Sequence, residues 1–144
     1  MSAECLPDTN ILVYAFDADE PEKQRVAEHL IRRLATDGSA CVSSQVLGEF
    51  YVTVTRRFPG SMDPETASLH VERFAELLEV HSSGLQVVLE ALRGVLRYRL
   101  SYYDAQIWAV ARLNHVPVVF TEDFTDGAQI EGVRFENPFA VQSG

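Results

Sequence analysis

Four acids are the residues in this sequence best suited to do chemistry together: Asp8, Glu49, Asp104 and Asp123. Hydrolysis of a phosphodiester needs an activated water and stabilised charge on the nonbridging and leaving oxygens. Mg²⁺ or Mn²⁺ supplies both, and these hard cations prefer carboxylate oxygen. Gathered without a cation, the four would repel one another and raise at least one pKa. Each acid also has a plainer reading. Asp8 can cap a helix that follows it. Asp104 can be the reciprocal partner in a capping box, Ser101-Tyr102-Tyr103-Asp104. Asp123 can be a turn residue ahead of Asp126-Gly127. Glu49 resists such a reading. Its neighbours three and four residues away are Gln45, Val46, Val52 and Thr53, which offer it no helical ion pair. It sits among Val46, Leu47, Phe50 and Val54, on a helix with little polar surface, where an acid is normally paired or functional.

A scaffold must bring these acids together, and the chain patterns as an α/β domain with a mainly parallel sheet. Short β-branched runs alternate with segments of helical period. A first strand surrounds Ala3 to Pro7. Pro21 to Ala35 forms a helix with Val26, Leu30, Ile31 and Leu34 on one face. Asp37-Gly38 ends it, and Ala40 to Ser43 is a short buried strand. Ser44 can cap the helix that carries Glu49. Pro59-Gly60 closes that helix and Asp63-Pro64 opens the next. A brief strand at Val80-His81 precedes a helix from Leu85 to about Tyr98. Ser101 then caps a helix with Ile107, Trp108, Val110, Ala111 and Leu113. Pro117 to Thr121 is the clearest strand, and Gly132 to Phe135 the last. Ile11 to Phe16 reads as a strand by propensity and as a short buried helix if Asp8-Thr9-Asn10 caps it. In a parallel sheet, ligands bind beyond the carboxyl ends of the strands, where Asp8 and Asp123 fall.

The chain has 144 residues with 47% hydrophobic and 23% charged content, the profile of one soluble globular domain spanning 1–144. No apolar run approaches the ~20 residues of a membrane helix. Cys5 and Cys41 read as reduced, buried thiols of a cytoplasmic protein rather than a disulfide framework. The net charge of −9, from 21 acids against 12 bases, argues against a protein that binds nucleic acid by coating phosphates. It does not argue against an enzyme that meets phosphate through a divalent cation.

Taken together, the acids and their surroundings resemble the PIN-domain nucleases, and particularly the VapC-type toxins of toxin–antitoxin pairs. Asp8-Thr9-Asn10-Ile11-Leu12-Val13-Tyr14 resembles the opening motif, and Ser43 to Phe50 the second, with Glu49 as its acid. Tyr103-Asp104-Ala105, with Ile107-Trp108-Ala109 and Ala111, is similar to the third. Thr121-Glu122-Asp123-Phe124 is similar to the fourth, and Asn137-Pro138-Phe139 to a tail found in one branch. The resemblance covers nearly the whole chain.

It implies a three-layer α/β/α domain with a five-stranded, mainly parallel sheet, and the helical reading of Ile11 to Phe16. It also implies Mg²⁺- or Mn²⁺-dependent endonucleolytic cleavage of RNA. Asp8, Glu49, Asp104 and Asp123 would hold the metal, directly or through water. Thr9 and Asn10 would orient ligands or the attacking water, and Glu122 is a weaker ligand candidate. A small antitoxin protein and a homodimer are the implied partners.

The bases Arg32-Arg33, Arg56-Arg57 and Arg93, Arg97, Arg99 read mainly as solvated helix faces, with Arg97 and Arg99 the preferred RNA contacts. The four histidines lack zinc-ligand spacing. Trp108, with Tyr102 and Tyr103, reads as core or interface ahead of base stacking. Two other functions remain to be weighed. A haloacid-dehalogenase-like phosphatase wants a second Asp two residues after Asp8, where Asn10 stands, and a Lys, where Lys23 is the one available. A non-catalytic interaction module on the same fold would need no metal.

Overall fold

A computed structural model describes residues 3–140. Strand β1 (Cys5–Pro7) is buried on both faces and leads through Asp8 into helix α1 (Thr9–Tyr14). Thr9, Ile11, Leu12 and Val13 are buried and Asn10 and Tyr14 half-buried, so most of the circumference of α1 is packed and packing overrides β-propensity. Helix α2 (Pro21–Asp37) starts on Pro21 and ends at Gly38, whose positive φ of 64° lets the chain turn back. Strand β2 (Cys41–Ser43) feeds helix α3 (Ser44–Arg57). The cap is Ser43, one residue earlier than expected: its hydroxyl accepts from Val46 N–H at 3.1 Å. Ser44 instead accepts from Ser83 N–H.

Helix α4 (Pro64–Leu77), capped by Asp63, precedes strand β3 (Glu79–His81). Helices α5 (Leu85–Tyr98) and α6 (Tyr102–Leu113) pack closely because Gly94 allows it. A Cβ at Gly94 would stand 2.8 Å from the fully buried Trp108 ring. Trp108 also donates from its indole N–H to Ile130 O at 3.2 Å, so it is a core residue. Strands β4 (Val118–Phe120), β5 (Gln129–Ile130) and β6 (Val133–Glu136) complete the chain of elements.

Leu6 pairs with Val119, and Val119 with Phe135, so β1, β4 and β6 run parallel; β5 adds antiparallel to β6. Among the described residues this gives a four-stranded sheet in the order β1-β4-β6-β5, and a separate parallel pair β2-β3. The expected single five-stranded sheet is corrected in two ways. Between β1 and β2 the ladder shrinks to one bridge, Cys5 to Ala40, because the chain meets β1 at Ser39–Ala40 before β2 begins. At the other edge, the two-residue β5 is too short to show alternation in the sequence. Its hairpin turn has φ of 47° at Glu131 and 84° at Gly132, the pair of positive values a two-residue hairpin favours.

No helix among the described residues is long and apolar enough to cross a membrane. Cys5 and Cys41 are free and buried, and burial pushes both thiols up, Cys5 to about 11 and Cys41 to about 12.

Candidate active site

Parallel pairing of β1 with β4 puts the residues just past their carboxyl ends side by side. Asp8 follows β1 and is 6% exposed. Although it occupies the position before α1, its carboxylate does not cap that helix. It accepts instead from the Thr121 hydroxyl at 2.8 Å, across 113 residues of sequence. The same Thr121 oxygen accepts from the Asp123 N–H at 3.1 Å. One buried hydroxyl therefore sets both the first and the fourth acid.

Asp104 lies in the first turn of α6. Its N–H donates to Ser101 Oγ at 3.2 Å, while its carboxylate makes no hydrogen bond to a described residue. The capping box is thus half formed, and the acid is left for the cleft. Glu49 comes from α3 and is held at both oxygens: Thr9 donates its hydroxyl at 2.9 Å and Gln45 its amide at 2.7 Å.

All four acids line one cleft of about 540 Å³, together with Thr9, Asn10 and Tyr103. Asn10's side-chain amide has no hydrogen bond to a described residue and is available to a ligand. Among the described residues, no Lys, Arg, His or Cys lines the cleft. Burial raises the Asp8 pKa to about 6, and the nearby Asp123 and Asp104 push it the same way against the Thr121 hydrogen bond. The Asp123 pKa is raised too, by burial and then by Asp104 and Glu122. Three acids repelling one another across a cleft without a base are a site that lacks positive charge.

The donor set suits a hard divalent cation. It consists of carboxylate, hydroxyl and amide oxygens, without the imidazole or thiolate that zinc selects. Among the described residues no three acids, histidines or cysteines close into a cage. That openness fits Mg²⁺, which keeps several waters and is usually bound by one or two carboxylates.

The remaining candidates lie elsewhere. Glu122 turns away from the cleft. It accepts from Tyr14 O–H at 2.6 Å and pairs with Lys23 at 2.8 Å, and its pKa is lowered. Lys23 in turn lies over the Tyr14 ring, against which Phe139 packs edge-on at 5.1 Å. This cluster anchors the loop after β4, so that Glu122 faces outward where Asp123 faces in. Arg97 and Arg99 are exposed at the end of α5 and do not line the cleft; Arg97 lies over the Tyr98 ring. The phosphatase alternative finds neither its second Asp, since Asn10 stands there, nor its lysine, since Lys23 is engaged with Glu122.

Sequence reasoning missed the role of Thr121, though the Thr-x-Asp spacing was its signal. It also missed Gln45, one turn before Glu49 and able to donate to it.

A family model described as PIN domain matches residues 5–125. No curated protein matches the chain in sequence. Several solved structures have a similar fold, three of them as follows. A toxin–antitoxin complex from Klebsiella pneumoniae aligns with TM-score 0.70 at 19% identity, over 95% of this chain and 99% of that one. VapC20 of Mycobacterium tuberculosis, described as a sarcin-ricin loop cleaving toxin, aligns with TM-score 0.65 at 21% identity, over 90% and 98%. DNA-bound VapBC from Salmonella typhimurium aligns with TM-score 0.67 at 24% identity, over 94% and 98%. At these identities the likeness is one of fold.

Proposed function

The chain belongs to the PIN-domain family, and from that premise we propose that it is a Mg²⁺- or Mn²⁺-dependent endoribonuclease, the toxin of a toxin–antitoxin pair. The observation that carries the reading is the convergence of Asp8, Glu49, Asp104 and Asp123 on one cleft without a base, with Asp8 pushed up to about 6. Those four residues hold the metal, directly or through water. When bound, it activates water and neutralises charge on the phosphodiester oxygens.

The chain's own residues do the positioning. Thr121 fixes the rotamer of Asp8 and the backbone at Asp123. Thr9 and Gln45 hold Glu49 at both of its oxygens, which keeps a long side chain from wandering. Asn10 offers an amide to the attacking water or the scissile phosphate. Arg97 and Arg99 sit on the exposed stretch leading into the Ser101–Asp104 turn, and contact the RNA backbone.

The partners proposed are an antitoxin and a second copy of this chain. The neighbours described as complexes of toxin with antitoxin support the first. An antitoxin Arg or Lys placed in the cleft would neutralise the acids and displace the metal. We place the activity in the cytoplasm, where the free Cys5 and Cys41 stay reduced.

The test is incubation of purified protein with mixed RNA in Mn²⁺ or Mg²⁺, against EDTA and against Asp8→Asn and Asp104→Asn. Metal-dependent cleavage absent from both folded variants is the expected result. Full activity in both variants refutes the site. A folded wild-type protein that neither cleaves RNA nor binds Mn²⁺ by calorimetry is instead the non-catalytic interaction module.

A further inference from the structure

The cleft that gathers the acids has a second half that the metal does not use. Gly48 and Val52, one turn apart on α3, and Tyr103 and Ile107, one turn apart on α6, line it beside Glu49 and Asp104. Tyr103 is 66% exposed and Val52 48%. A lone exposed aromatic needs no explanation. Two further features set this one apart.

The first is Gly48. It stands in the interior of α3, where glycine weakens a helix. At Gly94 the Trp108 ring demands the missing side chain, but a Cβ at Gly48 meets no protein atom within 4 Å, and its φ is not positive. Neither packing nor backbone conformation calls for glycine here. The bare helix surface leaves room in the cleft, next to Glu49, for a ligand to lie against the backbone.

The second is the mounting of Tyr103. Its ring meets that of Tyr102 edge-on, with centroids 6.0 Å apart. The Tyr102 hydroxyl in turn accepts from the amide of the buried Gln106 at 3.1 Å. An exposed ring braced in this way loses little freedom when a flat ligand stacks on it.

Charge selects the ligand. The acids repel phosphate except where a cation bridges it, and among the described residues no base lines the cleft. A chain with a net charge of −9 is poorly supplied for holding RNA by phosphate contacts. The missing affinity has to come from an uncharged surface, and stacking of a base on an aromatic ring supplies it whatever the sequence. The cleft of about 540 Å³ falls within the ~300–1,000 Å³ of small-ligand sites, with room for a nucleotide but not for a duplex.

We propose that the slot between Gly48 and Val52 of α3 and Tyr103 and Ile107 of α6 holds one unpaired nucleobase of the RNA strand, stacked on Tyr103, beside the phosphate at the acids. A base inside a duplex is already stacked on both faces and cannot enter. The site therefore takes single-stranded RNA or a loop. The proposal rests on the nuclease reading above and gives that site its substrate form and a specificity-determining residue.

The test is fluorescence anisotropy with a short single-stranded oligoribonucleotide of mixed sequence, and with the same strand annealed to its complement. Ca²⁺ replaces Mg²⁺, to bridge phosphate while slowing hydrolysis. Wild type should bind the single strand about tenfold or more tighter than the duplex. Tyr103→Ala should lose about tenfold or more of that affinity and Tyr103→Phe recover most of it, with Mn²⁺ affinity by calorimetry unchanged in both. Gly48→Leu should also lose RNA affinity, although leucine suits a helix better and its Tm does not fall. Residues with a purely structural role would move Tm and leave the affinity alone. Tyr103→Ala binding as wild type does, a duplex bound as tightly as the single strand, or a wild type that binds Mn²⁺ but not the oligonucleotide overturns the slot. The nuclease reading survives any of these as long as wild type cleaves mixed RNA. A wild type that binds neither metal nor RNA overturns both.

Discussion

Replacing Asp8 by Asn should stabilise the metal-free protein, and the size of the gain follows from where Asp8 sits. Asp8 is 6% exposed, and its carboxyl titrates at about 6 in the fold against 3.8 when free. The folded state therefore holds the proton more tightly than the unfolded chain. Stability linked to Asp8 is full below pH 3.8, falls as the pH rises towards 6, and stays low above. At about 1.4 kcal/mol per pH unit between the two states, the folded protein carries a cost of up to about 3 kcal/mol at neutral pH. Asn is neutral and nearly isosteric, and its amide oxygen can still accept the Thr121 hydroxyl. We expect Asp8→Asn in EDTA at pH 7.5 to gain about 1–3 kcal/mol in urea unfolding, or roughly 3–9 °C in Tm. The gap should close below pH 4. Saturating Mn²⁺ should reverse the ranking, because a ligand at 100 times its Kd adds about 2.7 kcal/mol to wild type alone. A variant no more stable than wild type at pH 7.5, or a gap that ignores pH, refutes the argument that repulsion and burial are stored at this site.

Three further outcomes follow from other contacts. Thr121→Val removes the hydroxyl shared by Asp8 and Asp123; Mn²⁺ affinity by calorimetry should drop ~10- to 100-fold with the fold intact. Gly94→Ala places a methyl 2.8 Å from the Trp108 ring, and overpacking should outweigh the helix-propensity gain by about 1–2 kcal/mol in urea. Glu131, paired with Arg93 and Arg112, has its pKa lowered to about 2. Its contribution is present above about pH 4.5 and lost as pH falls towards 2, so Glu131→Gln should cost less than ~1 kcal/mol at pH 6 and nothing below pH 2.

The parts of this molecule that were legible in the sequence are those where local chemistry and tertiary demand agree. Asp63-Pro64 and Ser101 cap helices as their types require, and Pro117 to Thr121 contains a strand because little else suits such a run. Glu49 was legible through an absence, an acid on an apolar helix with no ion-pair partner. The helix at Thr9–Tyr14 was open on propensity, because what decides it is tertiary burial around most of its circumference, which a sequence window does not display. The choice between Glu122 and Asp123 rests on Lys23 and Tyr14, some 100 residues earlier in the chain. The split of the sheet likewise depends on where Ser39 and Ala40 meet β1, a register that periodicity does not carry. Thr121 shows the general difficulty: its hydroxyl joins two acids at once, and only the folded chain shows both ends of that bridge.

The pairing of β1 with β4 also governs when the cleft can exist. During synthesis, Asp8 leaves the ribosome early, but its strand partner and its hydrogen-bonding hydroxyl are encoded more than a hundred codons later. At ~5–20 residues per second, the nascent chain spends several seconds with Asp8, Glu49 and even Asp104 made but unassembled. A chain interrupted before Thr121 lacks both the fourth acid and the group that orients the first. If the protein cleaves RNA as proposed, this topology disarms every incomplete copy, including the one still attached to its own message.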